Sequence, residues 1–215
     1  MAAARKLSID PRRPDPAVLD EAVALLREGG VVAYPTETFY GLGVDARSGA
    51  ACERLFELKG RPAEKALPCI VSGISQMEQV GRELSREAMA LARHFWPGPL
   101  TLIVSAKPEI AASSSEGTIA LRASGLPAAR LLAERLGSPL TATSANASGL
   151  PSAATADEVV RQLGHGVDLL LDGGSCPGGL PSTIVDVRGE VPALVREGRV
   201  PFEEVMRVLS RASSP

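Results

Sequence analysis

Several stretches of the 215-residue chain combine residue types that handle anions and nucleotides. The first is Tyr34-Pro35-Thr36-Glu37-Thr38-Phe39-Tyr40-Gly41-Leu42-Gly43, with two threonine hydroxyls, a carboxylate and two glycines. Glycine lets a ligand approach the backbone closely, although Pro-Thr-Glu-Thr also suits an ordinary capped turn. The second is Leu58-Lys59-Gly60-Arg61-Pro62-Ala63-Glu64-Lys65, which places three cations within seven residues. Lys as a mobile point charge and Arg as a bidentate fork would clamp a phosphate. The same cations would also complement the dipole at a helix C-terminus. The third, Thr141-Ala142-Thr143-Ser144-Ala145-Asn146-Ala147-Ser148-Gly149, offers five small polar side chains for anionic oxygens or a base edge. Upstream of it, Arg122 ends the apolar run Thr118-Ile119-Ala120-Leu121. A guanidinium there needs a carboxylate or phosphate partner, internal or from a ligand.

Other familiar sites are missing. Residues 172–183 are glycine-rich but have no Lys for a Walker A loop, and Pro177 spoils G-x-S-x-G. Gly41-Leu42-Gly43-Val44-Asp45-Ala46 imitates a dinucleotide fingerprint, but it does not sit at a strand-to-helix turn, as that mechanism requires. With two histidines, His94 and His165, a His-rich metal site is excluded. The three cysteines are far apart and form no C-x-x-C, which argues against a zinc site or disulfide framework and for a reducing cytoplasm.

These residues need elements to hold them. Asp15 can cap a first helix, Pro16 suits its first turn, apolar residues recur at helical spacing, and Gly29-Gly30 end it. Further helices are expected over 50–58, 85–95, 126–136, 155–163 and 201–209. Strands are expected over 31–34, 67–71, 100–104, 118–121, 140–142 and 168–171. A hairpin is expected over 183–187 and 191–195, turning at Arg188-Gly189-Glu190. The alternation predicts an α/β fold: a single domain with a twisted mixed β-sheet flanked by helices. The domain is expected over 15–205, with 1–14 and 206–215 as terminal extensions and no second domain.

Composition narrows the function. Lys and Arg total 23 against 25 Asp and Glu, a net charge of −2, and aromatics are only 3%. That disfavours coating nucleic acid by bulk charge, or binding single strands on a stacking platform. Of the cations, 19 are Arg and four are Lys, and two of those four, Lys59 and Lys65, fall in the cationic segment. No apolar run approaches the roughly 18 residues of a membrane span, and the start lacks the apolar stretch of a signal peptide, so a cytoplasmic protein is expected.

Taken in order, six segments resemble the YrdC-type threonylcarbamoyl-adenylate synthase family. They are Gly30-Val31-Val32-Ala33-Tyr34-Pro35-Thr36-Glu37-Thr38-Phe39-Tyr40-Gly41-Leu42, Lys59-Gly60-Arg61-Pro62, Phe95-Trp96-Pro97-Gly98-Pro99-Leu100-Thr101, Ala120-Leu121-Arg122, Thr143-Ser144-Ala145-Asn146-Ala147-Ser148-Gly149 and Pro181-Ser182-Thr183-Ile184-Val185-Asp186. The resemblance implies a YrdC-like fold and a nucleotidyltransferase. L-Threonine and bicarbonate or CO2 would give a carbamate that attacks the α-phosphate of ATP, yielding threonylcarbamoyl-adenylate and pyrophosphate. A downstream threonylcarbamoyl transferase would use the product in tRNA modification. By motif, Thr36, Arg122 and Ser182 would hold L-threonine. Lys59, Arg61, Thr118, Ser144, Asn146, Ser152 and Arg196 would serve ATP, with Lys59 and Arg61 in the catalytic role. Magnesium would arrive with ATP, with no tightly bound cofactor. Because the substrate carbamate is the nucleophile, positioning and electrostatics suffice.

Three alternatives stay open: a non-catalytic double-stranded RNA or tRNA binder of the same fold, a related carbamoyl-adenylate activity, and a nucleotide-linked oxidoreductase. Convergence of Thr36, Ser182 and Asn146 on a small pocket beside the cations would favour the synthase over the RNA binder.

Overall fold

In the computed structural model, residues 4–60 and 66–212 are described. The chain runs β1 (Arg5–Ser8), α1 (Pro16–Arg27), β2 (Val32–Tyr34), β3 (Gly41–Gly43), α2 (Gly49–Lys59), β4 (Pro68–Ile70), α3 (Ile74–Val80), β5 (Gly81–Arg82) and α4 (Arg86–Phe95). It continues with β6 (Leu100–Ala106), β7 (Thr118–Arg122), α5 (Pro127–Leu136), β8 (Leu140–Thr141), β9 (Thr143–Ser144) and α6 (Ala156–Leu163). Last come β10 (Leu169–Asp172), β11 (Thr183–Asp186), β12 (Ala193–Arg196) and α7 (Phe202–Ala212).

Local chemistry sets the helix ends. The Asp15 carboxylate accepts from Ala17 N at the start of α1. The Ser48 hydroxyl caps α2, which ends on Gly60 in a left-handed conformation. Thr155 and Glu158 form a reciprocal capping box on α6.

The α/β character with mixed strand pairing is as expected, but the strands divide between two sheets. One sheet has the order β1-β10-β2-β3-β9, and the other β12-β11-β6-β7-β4-β8 with β5 on the side of β6. In the first sheet β1, β10 and β2 are parallel, and β3 and β9 antiparallel. In the second, β11 with β6 and β4 with β7 are parallel, and the remaining pairs are antiparallel.

The two sheets meet where β8 of one runs into β9 of the other across Ala142. A buried knot of polar groups fixes this crossing. The Thr141 hydroxyl donates to Leu42 O (3.1 Å) and accepts from Val44 N (2.9 Å), while Tyr34 OH donates to Thr141 O (2.7 Å). Gly43 lets the layers close: a Cβ there would meet Leu140 Cδ1 at 2.7 Å and Tyr34 Cε1 at 2.8 Å.

Side-chain alternation gives the second sheet two distinct faces. Leu100, Leu102, Val104, Ile119, Leu121 and Val185 join the larger core cluster. Thr101, Ile103, Thr118, Ala120, Arg122 and Ile184 alternate with them and take the opposite face. A second cluster packs α1 on α5 through Leu19, Ala22, Leu26, Ala129 and Leu132, against Leu169 and Leu171 of β10. Its alanines allow the two helices to pack closely.

Candidate functional site

A cavity of about 220 Å³ opens on that second face, where the two sheets meet. The loop between β2 and β3 contributes Thr36, Thr38, Phe39 and Tyr40 to its lining. The crossing between sheets adds Ala142, Thr143 and Ser144, and the loop beyond adds Ser152. The second sheet supplies Pro68, Thr101, Arg122, Ile184 and Arg196, with Ser182 just before β11. Strand register explains part of this: Ile184 sits opposite Thr101 on one side and Arg196 on the other. The volume lies below the roughly 300–1,000 Å³ of drug-sized ligand sites.

The polar groups are pre-arranged. Thr36 Oγ1 lies 2.7 Å from Phe39 O, to which it donates, and 3.1 Å from Thr38 Oγ1, which closes the loop on itself. Thr101 Oγ1 donates to Ser182 Oγ (3.0 Å), and Arg196 Nη2 donates to Ser182 O (2.9 Å). Arg122 is 7% exposed and pairs with Glu37, whose second carboxylate oxygen accepts from the Ser124 hydroxyl. Burial alone would raise the Glu37 pKa. The Arg122 charge, the Ser124 hydroxyl and backbone N–H groups outweigh it and hold the carboxyl below its ordinary value. Arg196 is lowered from its ordinary value by partial desolvation and then by the nearby Arg122 charge.

Of the residues expected from sequence, Thr36, Arg122, Ser182, Ser144, Ser152 and Arg196 therefore share one cavity. Lys59 stands behind it: 7% exposed, it donates from Nζ to Ser144 O at 2.5 Å. Asn146 lies two residues beyond Ser144, and its Nδ2 donates to Ala147 O and Leu150 O. Its buried Oδ1 has no hydrogen-bond partner among the described residues. Thr118 is outside the cavity lining. It shares a face of β7 with Arg122 but lies about 13 Å further along the strand, with its hydroxyl 2.8 Å from that of Ser114. Arg61 and Lys65 fall outside the described residues.

The sequence pattern includes Glu37 in its motif but assigns no role to it or to Ser124. The one signal was the demand of Arg122 for an anion. Burial pushes the thiols of Cys52 and Cys176 up to about 11, and that of Cys69, at the cavity wall, well above its ordinary value. Among the described residues, no group of three or more His, Cys, Asp or Glu could hold a metal ion. No helix of the described residues is long and apolar enough to cross a membrane.

A family model named Sua5_yciO_yrdC and described as "Telomere recombination" matches residues 24–198. The chain belongs to the Sua5/YciO/YrdC family. Among its relatives in this family, a Pyrococcus abyssi protein called threonylcarbamoyl-AMP synthase is 39% identical over 87% of this chain and 56% of its own length. A Vibrio vulnificus protein of the same name is 38% identical over 84% of this chain and 98% of its own. The crystal structure of P. abyssi Sua5 complexed with L-threonine superposes with a TM-score of 0.89 at 35% identity, covering 97% of this chain and 61% of that one. The chain thus spans a little over half the length of the P. abyssi relative.

Proposed function

We propose that this Sua5/YciO/YrdC-family chain is a threonylcarbamoyl-AMP synthase that acts on L-threonine, bicarbonate or CO2, and ATP with its magnesium. One observation carries the reading. Side chains for an amino acid (Thr36, Arg122, Ser182) and for phosphate oxygens (Ser144, Ser152, Arg196) line a single cavity, with the Lys59 ammonium directly behind it. The names of the P. abyssi and V. vulnificus relatives support the same reading.

The chemistry asks little covalent work of the protein. The threonine amine adds to bicarbonate or CO2, and a carbamate oxygen then forms a bond to the α-phosphorus of ATP while the bond to pyrophosphate breaks. Two anions must be held in line and the charge of a pentavalent phosphorus offset, which positioned cations and hydroxyls can do. We assign the threonine carboxylate to Arg122 and Ser182, and the threonine hydroxyl end to Thr36. We assign ATP to Lys59, Arg61, Ser144, Ser152 and Arg196, with Thr118 and Asn146 further out. The unpartnered Asn146 Oδ1 suits a donor such as a nucleobase amino group. Lys59 and Arg61 would act catalytically on the phosphates. Magnesium enters as part of the nucleotide substrate. The buried, unactivated thiols fit a reaction whose nucleophile is the substrate.

The product serves a downstream threonylcarbamoyl transferase in tRNA modification, in the cytoplasm. Against a pure RNA binder stands the convergence of Thr36 and Ser182 on one partly open cavity beside Arg122 and Arg196, although Asn146, the third residue expected to converge there, lies outside its lining. The test is pyrophosphate release from ATP and magnesium by folded protein. Release that requires both threonine and bicarbonate is expected, and release indifferent to either one refutes the proposal.

A further inference from the structure

We infer that Glu37 is a positioning residue of this site: its carboxylate fixes which guanidinium N–H groups of Arg122 face the cavity to receive the substrate carboxylate. The role rests on the amino-acid reading of the cavity given above.

The geometry separates the two residues. Arg122 lines the cavity, whereas Glu37, one residue beyond Thr36, is not in the lining. Their side chains are 9% and 13% exposed. Both carboxylate oxygens are taken by protein donors, one by Arg122 Nη1 and the other by Ser124 Oγ. A guanidinium has five N–H donors in a rigid fork, so anchoring one of them fixes the direction of the rest.

The anchor is itself held. Ser124 is fully buried, its hydroxyl accepts from Leu126 N (3.2 Å), and its carbonyl accepts from Arg130 Nη1. Gly125 lies against the Glu37 chain, where a Cβ would stand 3.5 Å from Cγ. Glu37 thereby ties the loop carrying Thr36, which joins strands of the first sheet, to the end of β7 in the second. Two of the three groups assigned to the amino acid are referenced to one another through this carboxylate. It also offsets the Arg122 charge, which bears on the nearby Arg196.

A merely structural ion pair would change stability and active fraction, and so kcat, but not the threonine dependence alone. Glu37→Gln keeps the volume and removes the charge. Measured by pyrophosphate release, it should raise the KM for threonine about tenfold, with kcat within about threefold and the KM for ATP within about twofold. Arg122→Lys keeps a cation but has no fork to orient, so in that background Glu37→Gln should add less than about twofold. Glu37→Asp, which withdraws the carboxylate by one methylene, should show the same threonine-specific rise and serves if the Gln variant fails to fold. Thermal midpoints confirm that each variant is folded.

Effects that multiply fully across the two backgrounds overturn the role, because Glu37 then acts independently of Arg122. A loss confined to kcat overturns it as well. A wild-type protein whose turnover ignores threonine overturns the function reading and this role together; threonine-dependent turnover with a fully multiplicative cycle overturns only the role.

Discussion

Replacing Arg122 with Met retains most of the stem and removes the guanidinium, leaving the Glu37 carboxylate buried without its counter-charge. Breaking a buried ion pair from one side costs about 3–5 kcal/mol. The Ser124 hydroxyl and backbone N–H groups still serve Glu37, which places the expected loss near the lower end, about 3 kcal/mol. For a chain of this size that is a fall of roughly 6–12 °C in Tm. The pH dependence is more diagnostic. In the wild type Glu37 is held below its ordinary value of 4.5, so its contribution is fully present above that value and lost as pH falls through the lowered one. In Arg122→Met the largest opposing cause, burial, loses its main counterweight and the Glu37 pKa moves upward. The penalty is then greatest near neutrality and shrinks as pH falls toward 4.5, where protonation relieves the stranded charge. Carboxylates elsewhere, such as Asp168 and Asp186, are common to both proteins and cancel in the difference. Urea unfolding of both proteins at about pH 7.5 and about pH 5.5 reads this difference directly. The double variant Glu37→Leu with Arg122→Met strands no charge but leaves the buried Ser124 hydroxyl without its acceptor, a cost of about 1–3 kcal/mol, and its loss should be the same at both pH values. A single-variant loss below about 1 kcal/mol, or one that grows on acidification, refutes the reasoning.

Two further outcomes follow from the same site. Lys59→Met removes the ammonium that donates to Ser144 O and should cost about 1–3 kcal/mol. It should also raise the KM for ATP at least about tenfold in the pyrophosphate assay, and an unchanged ATP dependence would refute the phosphate role. Gly198 packs its Cα against backbone, and a Cβ there would stand 2.2 Å from Pro181 O and 2.7 Å from Ser182 C. Gly198→Ala should therefore cost about 1–3 kcal/mol and weaken threonine binding severalfold by displacing Ser182; calorimetric titration with threonine that matches the wild type would refute this.

How much of this was legible in the sequence depended on whether the signal was local. Helices with side-chain caps were placed to within one or two residues at their starts: Asp15 before α1, Ser85 before α4, Thr155 before α6. α3 was missed because it is seven residues long, starts at Gly73 with no side-chain cap and ends at Gly81. β3 was missed because Gly-Leu-Gly carries little strand propensity; its glycines are set by the Tyr34 ring and Leu140 pressing on the backbone. β1 was missed as an Arg-Lys-Leu-Ser stretch on a sheet edge, with three of its four residues exposed. The division into two sheets was invisible for the same reason: no periodicity tells that the chain changes sheets at Ala142.

The site followed the same rule, with one instructive gap. An Arg at the end of an apolar strand demanded an anion, and the sequence left open whether a ligand or the protein would supply it. The structure supplies one from the protein, Glu37. Arg122 faces the cavity and holds Glu37 at the same time. That partner lies 85 residues away in sequence, and only the meeting of the two sheets brings it within reach. A charge total of −2 could not reveal this pairing, because what matters at the site is which cations are already compensated. Arg122 meets a ligand as an oriented, largely neutralised set of donors. Such a group discriminates by geometry more than by charge, which the proposed pairing of an amino-acid carboxylate with a polyphosphate would require.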